Sequence, residues 1–139
     1  MKIAEPDFFS QLAVLLFEHI EKGRQDRDIM VTAEQFEKVR QFVYRNGDLL
    51  TRRRFAYHFE SGSKEAVLKA LACYQNEDGG FGNGLELDIL CPDSSGICAE
   101  VAFGYLVELE VREGALFDRG PHWVVSAQTA NGDLPHPAE

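Results

Sequence analysis

The pattern Gln-x3-Gly-x-apolar occurs twice in this chain, as Gln75-x3-Gly79-x-Phe81 and as Gln128-x3-Gly132-x-Leu134. The two copies stand 53 residues apart (128 minus 75), about the span of one helical hairpin with its connections. Each follows a segment of helical periodicity, and each ends it with a glycine, which enters positive-φ backbone that other residues resist. A sequence that repeats its own helix terminator is constrained toward stacked hairpins. The first copy sits in "YQNEDGGFGNGLELDI", residues 74–89, where four glycines and seven carboxylates or carboxamides crowd a window the size of a helix.

The segments between the terminators read as helices. Phe8, Leu12, Leu15, Leu16 and Ile20 recur at helical spacing from Asp7 to about Glu21, which predicts a first amphipathic helix. Thr32 and Gln35 stand in capping-box relation, with Val31 and Phe36 at the two positions of a hydrophobic staple. They start a second helix, whose buried face continues through Phe36, Val39 and Val43 to a stop at Asn46-Gly47. Residues 48–60 predict a short helix with Leu50, Phe55 and Phe59 inward and Arg52, Arg53 and Arg54 outward. Ser63 caps a third long helix, with Val67, Leu71 and Tyr74 on one face; its oxygen accepts from an orphan N–H of the first turn. In the fourth, Ile97, Val101 and Tyr105 mark one side and Cys98, Ala102, Leu106 and Leu109 the next, a breadth that implies packing on two sides. Pro121, as a first-turn residue, opens a fifth helix running to Gln128. No stretch alternates with period two for long enough to make a strand, so the expected fold is all-α.

At 139 residues the chain is expected to form one domain, because that length supports a single well-buried core. A formal net charge of −9 argues against nonspecific nucleic-acid binding, which needs clustered Lys and Arg to displace counterions from phosphates. Arg52-Arg53-Arg54 is the one local exception, read as a solvated face ahead of a phosphate patch. With neither an 18-residue apolar run nor a cleavable leader, a soluble cytoplasmic chain without a membrane span is expected. Cys73, Cys91 and Cys98 make an odd count suited to free thiols, and Cys73 reads as a small core residue. Cys91-x6-Cys98, with His19, His58, His122 and His136 scattered, does not make a zinc knuckle. No metal or other cofactor is expected, and the acids of 76–88 lack the spacing of a calcium loop.

Taken with the residues before it, the second copy reads Arg119-Gly120-x2-Trp123-Val124-x3-Gln128-x3-Gly132-x-Leu134. This resembles the repeat of the α/α-toroid superfamily of terpene cyclases and protein prenyltransferases: basic residue, Gly, aromatic, Leu, then Gln, Gly and Trp. It departs at Val124, where that repeat has Leu, and at Leu134, where it has Trp. The first copy keeps Leu71, Gln75, Gly79 and Phe81 but has Ala66, Val67 and Ala70 in place of the basic residue, Gly and aromatic. Its "QNEDGGFG" looks like the form common in prenyltransferase and squalene-cyclase-type repeat proteins. The resemblance implies helical hairpin repeats forming a partial α/α toroid, with a helical lead-in over 1–60 and two repeats over 61–139. A closed ring needs more hairpins, so the resemblance also implies either further C-terminal repeats or a homo-oligomer.

Physically, a Gln at a helix end carries a donor and an acceptor, so it can bridge its own helix to the next. The aromatic after the glycines can fold back on the helix it has left. The motif is therefore read as architecture, and Gln75→Ala and Gln128→Ala are both expected to lower the melting temperature. The chemistry of the resembled enzymes does not carry over: the Asp-x-Asp-Asp acid of the cyclases is absent, and so is a zinc cluster of prenyltransferase type. The candidate catalytic pair is Glu86 and Asp88, two residues apart after the glycine-rich loop, since paired carboxylates can divide into acid and base. Asp78 and Asp93 are the accompanying ligand-binding candidates. Three functions follow: a noncatalytic repeat module displaying "GNGLELDI" for recognition, part of a toroid enzyme acting on an isoprenoid or other apolar small molecule, or a carbohydrate-processing toroid with paired acids. No catalysis is expected of this chain by itself.

Overall fold

The computed structural model describes residues 31–136. The chain divides into two compact units, Met1–Gln41 and Phe42–Glu139. The helix expected over Asp7 to Glu21 lies outside the described residues. Among those described there are five helices and no strands: α1 (Ala33–Asn46), α2 (Leu49–Phe59), α3 (Lys64–Ala72), α4 (Gly96–Glu108) and α5 (Ala115–Ala127). The fold is all-α.

α1 begins with the capping box the sequence predicts. The Thr32 N–H donates to Gln35 Oε1 at 2.9 Å and the Gln35 N–H donates to Thr32 Oγ1 at 3.1 Å, so two orphan donors are satisfied reciprocally. Its expected apolar face is only partly buried: Val43, in the second unit, is 7% exposed, whereas Val39, in the first, is 38% exposed.

Within the second unit, Asp48 caps α2 through the Thr51 N–H at 2.6 Å, and Leu50 and Phe55 are buried as expected. Phe59 is not, with 39% of its surface exposed. The arginines do not share one outward face either. Arg52 donates from Nε to the Gly47 carbonyl at 2.7 Å, satisfying backbone at the end of α1. Arg54 turns inward: Nη2 donates to Glu108 Oε2 at 2.5 Å, and its guanidinium lies 4.2 Å from the Tyr105 ring centroid. His58 Nε2 meets the other Glu108 oxygen at 2.5 Å. Only Arg53 stays exposed. This cluster fastens α2 to α4, and α2 packs along α3, so the helix that the sequence assigned to a lead-in before residue 61 is built into the same unit as the repeats.

Ser63 and Ser95 cap α3 and α4, accepting from the Ala66 and Cys98 N–H groups. Val67 and Leu71 of α3 and Cys98, Ala102 and Leu106 of α4 supply most of the core, with Leu109 just beyond α4. The opposite flank of α4, Ile97, Val101 and Tyr105, is half-buried. Phe81, in the turn after α3, has no exposed surface and meets Phe103 edge-on at 6.3 Å; full burial of such a ring contributes about 2 to 3 kcal/mol. Cys73, expected inside, is exposed: its backbone is still helical, but its thiol lies over the Lys69 carbonyl on the solvent flank of α3 and not on the buried face of Val67 and Leu71.

α5 departs most from expectation. It starts at Ala115, after Gly114 with φ 106°, and carries Pro121 in its interior. A proline there lacks an N–H and costs about 3 kcal/mol relative to alanine. Tertiary contacts offset it. A Cβ on Gly120 would lie 2.8 Å from Phe103 Cε1, so only glycine lets the helix sit this close to α4.

Tyr74, just past α3, donates its phenol to Asp48 Oδ2 at 3.3 Å. Burial, then the negative charge of Asp48 and that hydrogen bond, push its pKa up from 10.0 to about 12; Cys73 and Tyr105 act in the same direction. The shift favours the neutral phenol in the fold, so this contribution to stability is complete below pH 10 and is lost as pH rises toward 12. Absorbance titration near 295 nm is expected to show a tyrosine phase about two pH units above the ordinary phenol value of 10.0. That phase should vanish in Tyr74→Phe; its persistence would refute the assignment.

Candidate functional site

The chemistry-bearing residues of 74–94 converge on the turn that ends α3. The Gly79 N–H donates to the Asn76 carbonyl at 3.0 Å, the Asn76 N–H donates to the Gly80 carbonyl at 2.9 Å, and Gly79 takes φ 93°. Gln75 and Phe81 pair across this turn as an isolated antiparallel bridge. The Gln75 carboxamide donates to the Gly79 carbonyl at 3.0 Å and to the Leu116 carbonyl of α5 at 3.1 Å. It therefore joins the turn to the next hairpin, as its repeated position suggested, although by donating to both.

The same turn recurs 53 residues on. The Gly132 N–H donates to the Thr129 carbonyl at 2.9 Å, the Thr129 N–H donates to the Asp133 carbonyl at 2.8 Å, and Gly132 takes φ 84°. Each partner is the residue 53 positions after its counterpart. Burial repeats as well: Val67 and Ala70 of α3 match Gly120 and Trp123 of α5, all four buried. The spacing seen in the sequence is thus a repeat of backbone hydrogen bonding.

Asp78 is the hub of the first turn. Its Oδ1 accepts from the Gly80 N–H at 2.9 Å and from the Ser94 hydroxyl at 2.8 Å, while Oδ2 accepts from the Trp123 indole N–H at 3.1 Å. Beside it, the Asn76 amide donates to the Pro92 carbonyl and to Ser94 Oγ, and its oxygen accepts from the Asn83 amide. Arg119 Nη2 donates to the carbonyls of Asn76 and Glu77 at 2.9 and 2.7 Å. The sequence nominated Asp78 to hold a ligand, and the structure engages its carboxylate with three internal donors. Arg119 and Trp123 carry the repeat motif, yet nothing in their spacing announces Asn76 and Asp78 as their partners.

Asp93 adjoins this hub between Pro92 and Ser94, its carbonyl facing Gly82, whereas Glu86 and Asp88 belong to the loop between. Leu85 is buried and anchors the loop, and the Ile89 N–H donates to the Glu86 carbonyl at 2.9 Å to close a turn. Glu86 is half-buried there, while Asp88 and Asp93 are exposed. Leu87 and Leu90 are 51% and 81% exposed, so this stretch presents apolar and acidic side chains together. Among the described residues, no three His, Cys, Asp or Glu side chains are placed to hold a metal ion, and no helix is long and apolar enough to cross a membrane. The Arg54–Glu108–His58 cluster, another meeting of titratable groups, was invisible in the sequence because its members lie 50 and 54 residues apart.

Comparison with protein-family models, with curated proteins and with solved structures returns no match.

The two glutamines are unequal. Gln75 is half-buried and bridges two segments, whereas Gln128 is exposed. In urea unfolding followed by the single tryptophan, Gln75→Ala is expected to cost about 1 to 2 kcal/mol and Gln128→Ala less than ~0.5 kcal/mol. Asp78→Ala strands three donors and is expected to cost about 1 to 3 kcal/mol. Wild-type stability in Asp78→Ala would refute the hub.

Proposed function

We propose that this chain is a helical-hairpin repeat module of the prenyltransferase and squalene-cyclase-like kind, a segment of an α/α toroid that binds rather than transforms its partner. The observation that carries this reading is the turn at Gln75–Phe81, repeated 53 residues later with the same backbone hydrogen bonds. Stacked hairpins of this type bury each repeat against its neighbours and leave the connecting loops for recognition. The loop bearing Glu86, Leu87, Asp88 and Leu90 fits that role, since it is held by Leu85 and presents Leu87, Asp88 and Leu90 outward.

Catalysis asks more of the acids than their positions supply. An acid–base pair works where substrate and carboxylates are shielded from water, and of the candidate pair Asp88 is exposed and Glu86 only half-buried. The test is to incubate the purified chain with farnesyl diphosphate, squalene and a soluble β-glucan and to analyse products by mass spectrometry. Wild type and Asp88→Asn are expected to give the buffer background alike. Product formed by wild type and reduced about a hundredfold or more in Glu86→Gln or Asp88→Asn would replace this reading with the isoprenoid or carbohydrate enzyme, according to which substrate was consumed.

A further inference from the structure

The second turn repeats two backbone hydrogen bonds of the first, and its surroundings among the described residues differ. A Cβ on Gly79 would lie 2.8 Å from the Arg119 carbonyl, because α5 is seated on that turn; a Cβ on Gly132 would meet nothing within 4 Å among the described residues. Gln75 is half-buried where Gln128 is exposed, and Phe81 is fully buried where Leu134 is half-buried. Leu134 packs inward only as far as the start of α4, where the Gly96 N–H donates to the Pro135 carbonyl at 3.0 Å.

We propose that the turn Gln128–Leu134 is a docking site for a partner helix carrying Arg-Gly-x2-Trp, the set of side chains that α5 offers to the first turn. The inference rests on the repeat-module reading and names its partner. The chemistry transfers position by position. The carbonyls of Thr129 and Ala130 stand where those of Asn76 and Glu77 receive Arg119. Asn131 stands where Asp78 accepts the indole N–H, and its amide oxygen is an acceptor of the same reach without the charge. Gln128 has the carboxamide with which Gln75 reaches a carbonyl in the first turn of the incoming helix. The guanidinium also suits a chain of net charge −9.

The probe is a synthetic peptide of residues 113–128, EGALFDRGPHWVVSAQ, titrated calorimetrically into the full chain. One-site saturable binding is expected, weakened about tenfold or more by Gln128→Ala in the protein or by R119A in the peptide, and unchanged by Gln75→Ala. Asn131→Leu in the protein gives a second reading should Gln128→Ala unfold the chain. Absence of saturable binding up to about 1 mM peptide would overturn the proposal, as would binding indifferent to Gln128→Ala and Asn131→Leu. Sensitivity to Gln75→Ala instead would place the peptide at the first turn and also overturn it. Failure of the repeat reading itself shows separately, as wild-type stability of Gln75→Ala in the absence of any peptide.

Discussion

One carboxylate ties three parts of this fold together. Asp78 accepts from the turn that ends α3, from the serine just ahead of the cap of α4, and from the tryptophan of α5. Asp78 itself is exposed, whereas Gly80 and Trp123, which donate to it, are buried; buried donors need an acceptor, and here the three donors come from the segments that must be held in register. Arg119 adds two more bonds to the carbonyls of the same turn. The aromatic core formed by Phe81 and Phe103 lies beneath this polar layer, with Gly120 pressed against both rings. The position of α5, proline included, follows from that layer and not from its own helix propensity.

A second polar tie acts at the other end of α4. Glu108 is shared by Arg54 and His58 of α2, and Arg54 stacks on Tyr105 one turn earlier. Arg54 and Glu108 are 14% and 21% exposed, so their attraction is less screened than that of the surface pairs Lys38–Glu34 and Lys69–Glu65. α4 is thus fixed near its start by Ser95 and the hub beside it, and at its end by a charge cluster.

What was legible in the sequence was what is local. The Thr32–Gln35 box, the Ser63 cap and the Cys98–Leu109 face of α4 depend on residues three to four apart, and all are present. The start of α5 was misjudged because Pro121 is a strong local signal that loses to contacts made by Leu116, Arg119 and Gly120 with partners far away in the chain. Cys73 has apolar neighbours in sequence but lies on the solvent flank of the helix end, one turn after Lys69. The three arginines read as one patch because sequence gives adjacency, whereas a helix separates neighbours by about 100° around its axis. For the candidate site, composition pointed to the right loop, but the division of labour within it did not show: Asp78 and Asp88 are both exposed, yet Asp78 accepts from Gly80, Ser94 and Trp123, the last 45 residues away.

The bonds that join the first turn to α5 span 41 to 45 residues. Closing a loop of that size has an entropic cost that grows only logarithmically, by about 0.6 kcal/mol for each doubling of length. The segment between the joined parts is therefore nearly indifferent to its own length. Extra residues between Leu85 and Pro92 would change what the surface displays while leaving the hub, the caps and the period of the backbone turns in place. In such an architecture the display loop can diversify in size without the scaffold having to be redesigned.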